Sequence, residues 1–83
     1  MTALQKLPNI GKVAEDLLIK AGIDTPEKLI SIGSREAFLK IRLYDSTACI
    51  HMLYGLEGAV QGIRDNDLSD EDKQSLKSFF RSL

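Results

Sequence analysis

Few residues in this chain carry reactive chemistry. Cys49 and His51 stand two apart, so on a helix their side chains point about 160° from each other. They cannot hold one metal together, and there is no other Cys or His to join them. A zinc site is therefore not expected. Cys49 reads as a core residue, and His51 as exposed or half-buried. No Ser-His-Asp or Cys-His grouping is in view, and both the GxxxxGK[ST] phosphate loop and the GxGxxG fingerprint are missing. The acidic run Asp65, Asp67, Asp70, Glu71 and Asp72 lacks the Gly and terminal Glu of a calcium loop. It reads as a solvated helix start. Phe79 and Phe80 could stack nucleobases, but at the end of an amphipathic helix they read as core. Neither an enzyme nor a cofactor is expected from this inventory.

One segment could bind. Residues 7–23 read LPNIGKVAEDLLIKAGI. A turn built from Pro8, Asn9 and Gly11 leads into a helix, since Asn tolerates and Gly accepts a left-handed backbone. Such a turn presents unpaired N–H groups at a helix N-terminus, where phosphate is attracted by those donors and by the helix dipole. Lys12 adds a point charge beside it, and Lys6 is near in sequence. Lys6, Asn9, Ile10, Gly11 and Lys12 are thus the candidate nucleic-acid contacts. The alternative is a helix hairpin with a purely structural role.

The apolar residues recur at helical spacing almost throughout, and turn signals cut them into about five short helices. The first runs from Gly11 or Lys12 to Ala21, with Ile10, Val13, Ala14, Leu17, Leu18 and Ala21 on one face. Gly22 then suits a left-handed end, and Ile23 can pack back. The second begins at Thr25-Pro26-Glu27, an N-cap, a proline at the first helical position and a dipole-matched acid. Leu29, Ile30 and Ile32 supply its buried side, and Gly33 stops it. Ser34 caps the third, whose apolar face is Ala37, Phe38 and Ile41. The fourth spans Ser46 to Ile63, roughly 27 Å, with a stripe of Cys49, Met52, Leu53, Leu56, Val60 and Ile63. The fifth follows Ser69, which makes a capping-box-like pair with Asp72. Its apolar positions are Leu76, Phe79, Phe80 and Leu83. The expected architecture is all-α, one domain over residues 1–83.

The fourth helix has a second feature. Gly55, Gly58 and Gly62 fall inside it, at a cost of about 1 kcal/mol each relative to Ala. Ala48, Gly55, Ala59 and Gly62 line up beside the apolar stripe and would let another helix approach closely. That helix could belong to the same chain, or to a second copy in a homodimer.

The bulk composition bounds the partners. The chain has 83 residues and a net charge of −1, which argues against a strong grip on nucleic acid. Residues 1–43 carry seven basic and five acidic side chains, a balance of +2, and residues 44–83 carry four and seven, a balance of −3. An anionic partner would prefer the first half. No apolar run approaches the roughly 20 residues of a membrane span, and Met1–Lys6 shows no signal-peptide pattern. With a single cysteine, the expected setting is the cytoplasm.

Several stretches together resemble a known family. Leu7-Pro8-Asn9-Ile10-Gly11-Lys12, Ala21-Gly22-Ile23, Thr25-Pro26-Glu27-Lys28-Leu29 and Leu53-Tyr54-Gly55-Leu56-Glu57-Gly58-Ala59 look like the C-terminal domain family of TfoX, a bacterial competence regulator. The resemblance covers roughly residues 4–82. The first part also looks like the C-terminal domain of the RNA polymerase alpha subunit. The resemblance implies a helix-hairpin-helix (SAM-like) core and a link to regulation of DNA uptake or transcription. A helix-hairpin-helix usually has Gly at both ends of its turn. Here the first is replaced by Asn9. The function expected is that of a non-enzymatic module acting through protein contacts, with weak sequence-independent binding of the DNA phosphate backbone. A dedicated DNA-binding domain and a homo-oligomerisation module are the alternatives.

Overall fold

The computed structural model describes residues 3–83; Met1 and Thr2, the start of the stretch read for a signal peptide, lie outside them. The elements are a 3-10 turn (Leu4–Lys6), α1 (Lys12–Lys20), α2 (Pro26–Arg42), α3 (Ile50–Gln61), a second 3-10 turn (Asp65–Asp67) and α4 (Asp70–Arg81). No strand occurs among the described residues. The all-α architecture expected from the sequence is therefore the one observed.

α2 is a helix in two arms. Gly33 in its middle has φ 84° and ψ 167°, a conformation that only glycine adopts without strain. The break falls where the sequence places the end of one helix and the start of the next. Thr25 caps the first arm through its hydroxyl, which accepts from the Lys28 N–H at 3.1 Å. Ser34 does not cap the second arm as expected. Its hydroxyl is buried and donates instead to Glu57 Oε1 at 2.6 Å.

α3 is shorter than the sequence suggests. It begins at Ile50, not Ser46, because Asp45 organises the preceding residues into a turn. Its carboxylate accepts from the Thr47 N–H at 3.0 Å and from the Thr47 hydroxyl, the local bonding by which Asp competes with a helix. Those two bonds, the hydroxyl's first, hold the Asp45 carboxyl below the usual carboxylate range. α3 ends at Gln61, and Gly62 is its left-handed cap at φ 78°.

The core is one cluster. Leu4, Leu18, Leu29, Phe38, Ile41, Leu53, Leu56 and Leu76 are its largest fully buried side chains. Phe80 packs on Phe38 with ring centroids 5.9 Å apart, and Phe79 lies under the Arg35 guanidinium at 5.8 Å. Both phenylalanines are half-buried against the core. A polar chain ties α2, α3 and α4 outside it. Beyond the Ser34–Glu57 bond, Gln61 Nε2 donates to Glu57 Oε2 at 2.6 Å and to Asp72 Oδ2 at 3.0 Å. Arg35 donates to the Ser75 hydroxyl at 2.6 Å. Ser69 caps α4 by accepting from the Asp72 N–H at 3.0 Å.

Several residues expected inside are outside. Val13, Ile30 and Leu83 are exposed, and Ile32 stands at 36%. A short arm touching the core along one line needs one anchor, here Leu29. Ile30 and Ile32 then point about 100° and 60° to either side of it. Cys49 is also exposed, because it precedes α3 in extended conformation (φ −105°, ψ 174°) and is not part of the helical stripe. Conversely, the charged Glu15 is buried. Its Oε1 accepts from Gln5 Nε2 at 2.9 Å, while its Oε2 has no hydrogen-bond partner.

The break at Gly33 gives a first test. A Cβ there would meet nothing within 4 Å, so Gly33→Ala pays only for its torsion. It should lower stability by about 1–3 kcal/mol, read from urea unfolding, and leave the helical circular dichroism unchanged.

Candidate functional site

The hairpin turn before α1 is built by short backbone bonds. The Leu7 N–H donates to Leu4 O at 3.1 Å and the Ile10 N–H to Leu7 O at 3.4 Å. Asn9 takes the left-handed conformation at φ 68°, and among the described residues it is the one non-glycine that does. Gly11 is extended (φ −97°, ψ −170°) and precedes α1 without a side-chain cap. The left-handed position of the turn is thus Asn9, while Gly11 leaves open space where a side chain would stand.

Asn9 is occupied from within the chain. Its Nδ2 donates to Gly55 O at 3.2 Å and to Ile63 O at 3.1 Å. Its Oδ1 accepts from the Asp65 N–H at 3.2 Å. One amide therefore joins the hairpin turn to the middle of α3 and to the loop after it. Close packing makes these bonds reachable. A Cβ on Gly58 would fall 2.5 Å from Asn9 Nδ2 and 2.7 Å from Ile63 O, and one on Gly55 would lie 3.4 Å from Asn9 Cβ. Gly55 and Gly58 are thus the positions of α3 that Asn9 and the following loop approach.

The other candidate residues separate into two groups. Ile10 is buried and belongs to the core. Lys6, Gly11 and Lys12 are exposed. Lys12 Nζ lies 3.4 Å from Asp16 Oδ1, and Asp65 lines a cleft of about 110 Å³ together with Asn9, Ile10, Ala14 and His51. The two lysines near the turn are thus accompanied by two carboxylates. His51 is exposed and edge-on to Tyr54, centroids 6.4 Å apart. Among the described residues no group of His, Cys, Asp or Glu is placed to hold a metal.

The row proposed on the fourth helix is dispersed. Gly55 and Ala59 are buried in the chain, Ala48 is half-buried in the loop before α3, and Gly62 is the exposed cap after it. Asn9's tethering role was missed because the sequence signal it gave, tolerance of a left-handed turn, says nothing about what the amide bonds.

The chain is similar to known proteins in sequence and fold. Residues 1–80 match the family described as the TfoX C-terminal domain. The chain belongs to that family. The TfoX C-terminal domain seen here is 31% identical over 80 residues to Protein Sxy of Escherichia coli strain K12, covering 96% of this chain and 38% of that protein. It therefore spans well under half the length of this relative. Two solved structures are closer in sequence. An uncharacterised protein from Listeria monocytogenes, in a triclinic crystal form, is 57% identical with a TM-score of 0.94, covering 95% of this chain and 90% of the other. A protein of unknown function from the same organism, in a tetragonal form, is also 57% identical with a TM-score of 0.93, covering 95% and 98%.

The amide tether is open to a test of sign. Gly→Ala inside a helix ordinarily gains about 1 kcal/mol. Gly58→Ala should instead lose about 1–3 kcal/mol, the cost of overpacking. Asn9→Gly keeps the backbone conformation and removes three hydrogen bonds, so it should lose about 1–3 kcal/mol as well. Chemical denaturation of both variants and of the pair checks it. The losses should be less than additive, because each variant disrupts the same contact.

Proposed function

We propose that this TfoX C-terminal domain is a non-enzymatic regulatory module that works in the cytoplasm by contact with other proteins. The observation that carries this reading is the internal use of Asn9. A phosphate-binding turn of this kind offers backbone N–H groups at the helix start, and a side-chain amide turned outward would add to them. Here the one polar side chain of the turn is bonded to Gly55, Ile63 and Asp65 of the same chain. Asp16 and Asp65 stand beside Lys12 and the turn, and the net charge of −1 supplies no long-range attraction for a polyanion. The likeness to Protein Sxy and to the TfoX family supports a place in regulation of DNA uptake or transcription. The activity of the longer relative comes to this chain only as part of this proposal. No helix among the described residues is long and apolar enough to cross a membrane.

A second reading is sequence-independent contact with the DNA backbone at the start of α1. It is favoured by the uncapped N-terminus at Gly11 and by the exposed Lys6 and Lys12. Fluorescence anisotropy with mixed-sequence duplex DNA separates the two. At near-physiological salt the wild-type chain should give no saturable binding. Lys12→Glu should behave as wild type at every salt concentration. Binding that weakens steeply with salt and is lost in Lys12→Glu would establish the phosphate contact and overturn the first reading.

A further inference from the structure

The outer side of the second arm of α2 is exposed to solvent. Leu39 and Leu43 lie one turn apart on it, 41% and 82% exposed. Leu43 is the most exposed large apolar side chain among the described residues. Glu36 and Lys40 share this side, are also one turn apart and are both exposed. Among the described residues, no ion pair links them within the chain. At 100° per residue the four positions occupy a sector of about 100°. An apolar pair is thus set beside one acid and one base, all facing solvent.

The same helix borders a groove. The C-terminal end of α1 and both arms of α2 enclose about 360 Å³, lined by Ile23, Ser31, Ile32 and Lys40 among others. Ile23 forms its buried floor and Ile32 is 36% exposed. The break at Gly33 lies between the lining residues Ile32 and Lys40. Knob and groove therefore lie on one element, with Lys40 at the edge of both.

We propose that two copies of this chain pair through the second arm of α2, related by a two-fold axis at the level of Phe38. In antiparallel pairing about that level, Glu36 of each copy faces Lys40 of the other. Charge complementarity is thus satisfied twice, by residues that find no such partner in one chain. The same register sets Leu43 opposite Gly33 of the second copy, where the broken backbone borders the groove at Ile32. Each copy gives one knob and receives one, which closes the contact and prevents growth into fibres. This pairing is separate from the protein-contact reading above and from the row of small residues on α3, of which Gly55 and Ala59 are covered within the chain.

Sedimentation equilibrium of the full chain tests it. The wild type should approach twice the 9.2 kDa chain mass as concentration rises. Leu43→Glu and Lys40→Glu each should raise the dimer dissociation constant at least about tenfold, or 1.4 kcal/mol. The double exchange Glu36→Lys with Lys40→Glu restores both cross-pairs, so it should regain the dimer that Lys40→Glu loses. All three positions are exposed, and thermal melting of the diluted monomers should be unchanged. A wild-type chain that stays monomeric up to about millimolar concentration would overturn the proposal. So would a dimer indifferent to Leu43→Glu, or a double exchange that stays monomeric.

Discussion

The structure depends on one side-chain amide. Asn9 makes three hydrogen bonds to two parts of the chain, the middle of α3 and the loop that follows it. Each bond contributes about 1 kcal/mol net, a modest sum in itself. Its larger effect is to satisfy the Ile63 carbonyl and the Asp65 N–H, which lie where α3 has ended and no α-helical partner remains. Two glycines of α3 follow from it. Gly58 is excluded from carrying a side chain by Asn9 and by Ile63 O, and Gly55 is closely approached by Asn9 Cβ. The helix gives up propensity at both positions so that the turn can reach its backbone.

That arrangement commits the side-chain amide of the turn to the chain's own packing. The hairpin has a left-handed residue followed by the start of a helix. The amide ties the hairpin turn to α3, and the open N-terminus at Gly11 is left with two lysines and two neighbouring carboxylates. The fold is shared with the two Listeria monocytogenes structures, and a shared fold does not by itself set the chemistry of the turn.

The fold was legible in the sequence wherever a local rule decided it. Thr25 and Ser69 cap their helices, Gly22 is left-handed at the end of α1, and Gly33 breaks α2, all as expected. Ala37, Phe38, Ile41 and Leu76 are buried as their spacing requires. The failures were tertiary or competitive. Asp45 outbid the helix pattern before Ile50 by bonding Thr47, so Cys49 left the apolar stripe. Ile30 satisfied the period of a buried face but had no element opposite it. Glu15 gave no sign of burial, because its partner Gln5 lies ten residues away in a separate turn. The turn itself was legible from Asn9 and Gly11, but the bonds of Asn9 to Gly55, Ile63 and Asp65 were not. Neither propensity nor periodicity relates positions so far apart.

The span of the Asn9 bonds has a bearing on how the chain folds. Their partners lie 46, 54 and 56 residues away in sequence, so they close one of the longest loops in the molecule. Closing such a loop costs entropy before any contact repays it, whereas the helices and the α1–α2 corner form from near neighbours. A contact of that span is expected to form after the helices it joins. The Asp65 N–H, which belongs to no α-helix, is bonded to Asn9 Oδ1. Its protection reports the parting of the hairpin from α3, and not the fraying of any helix end.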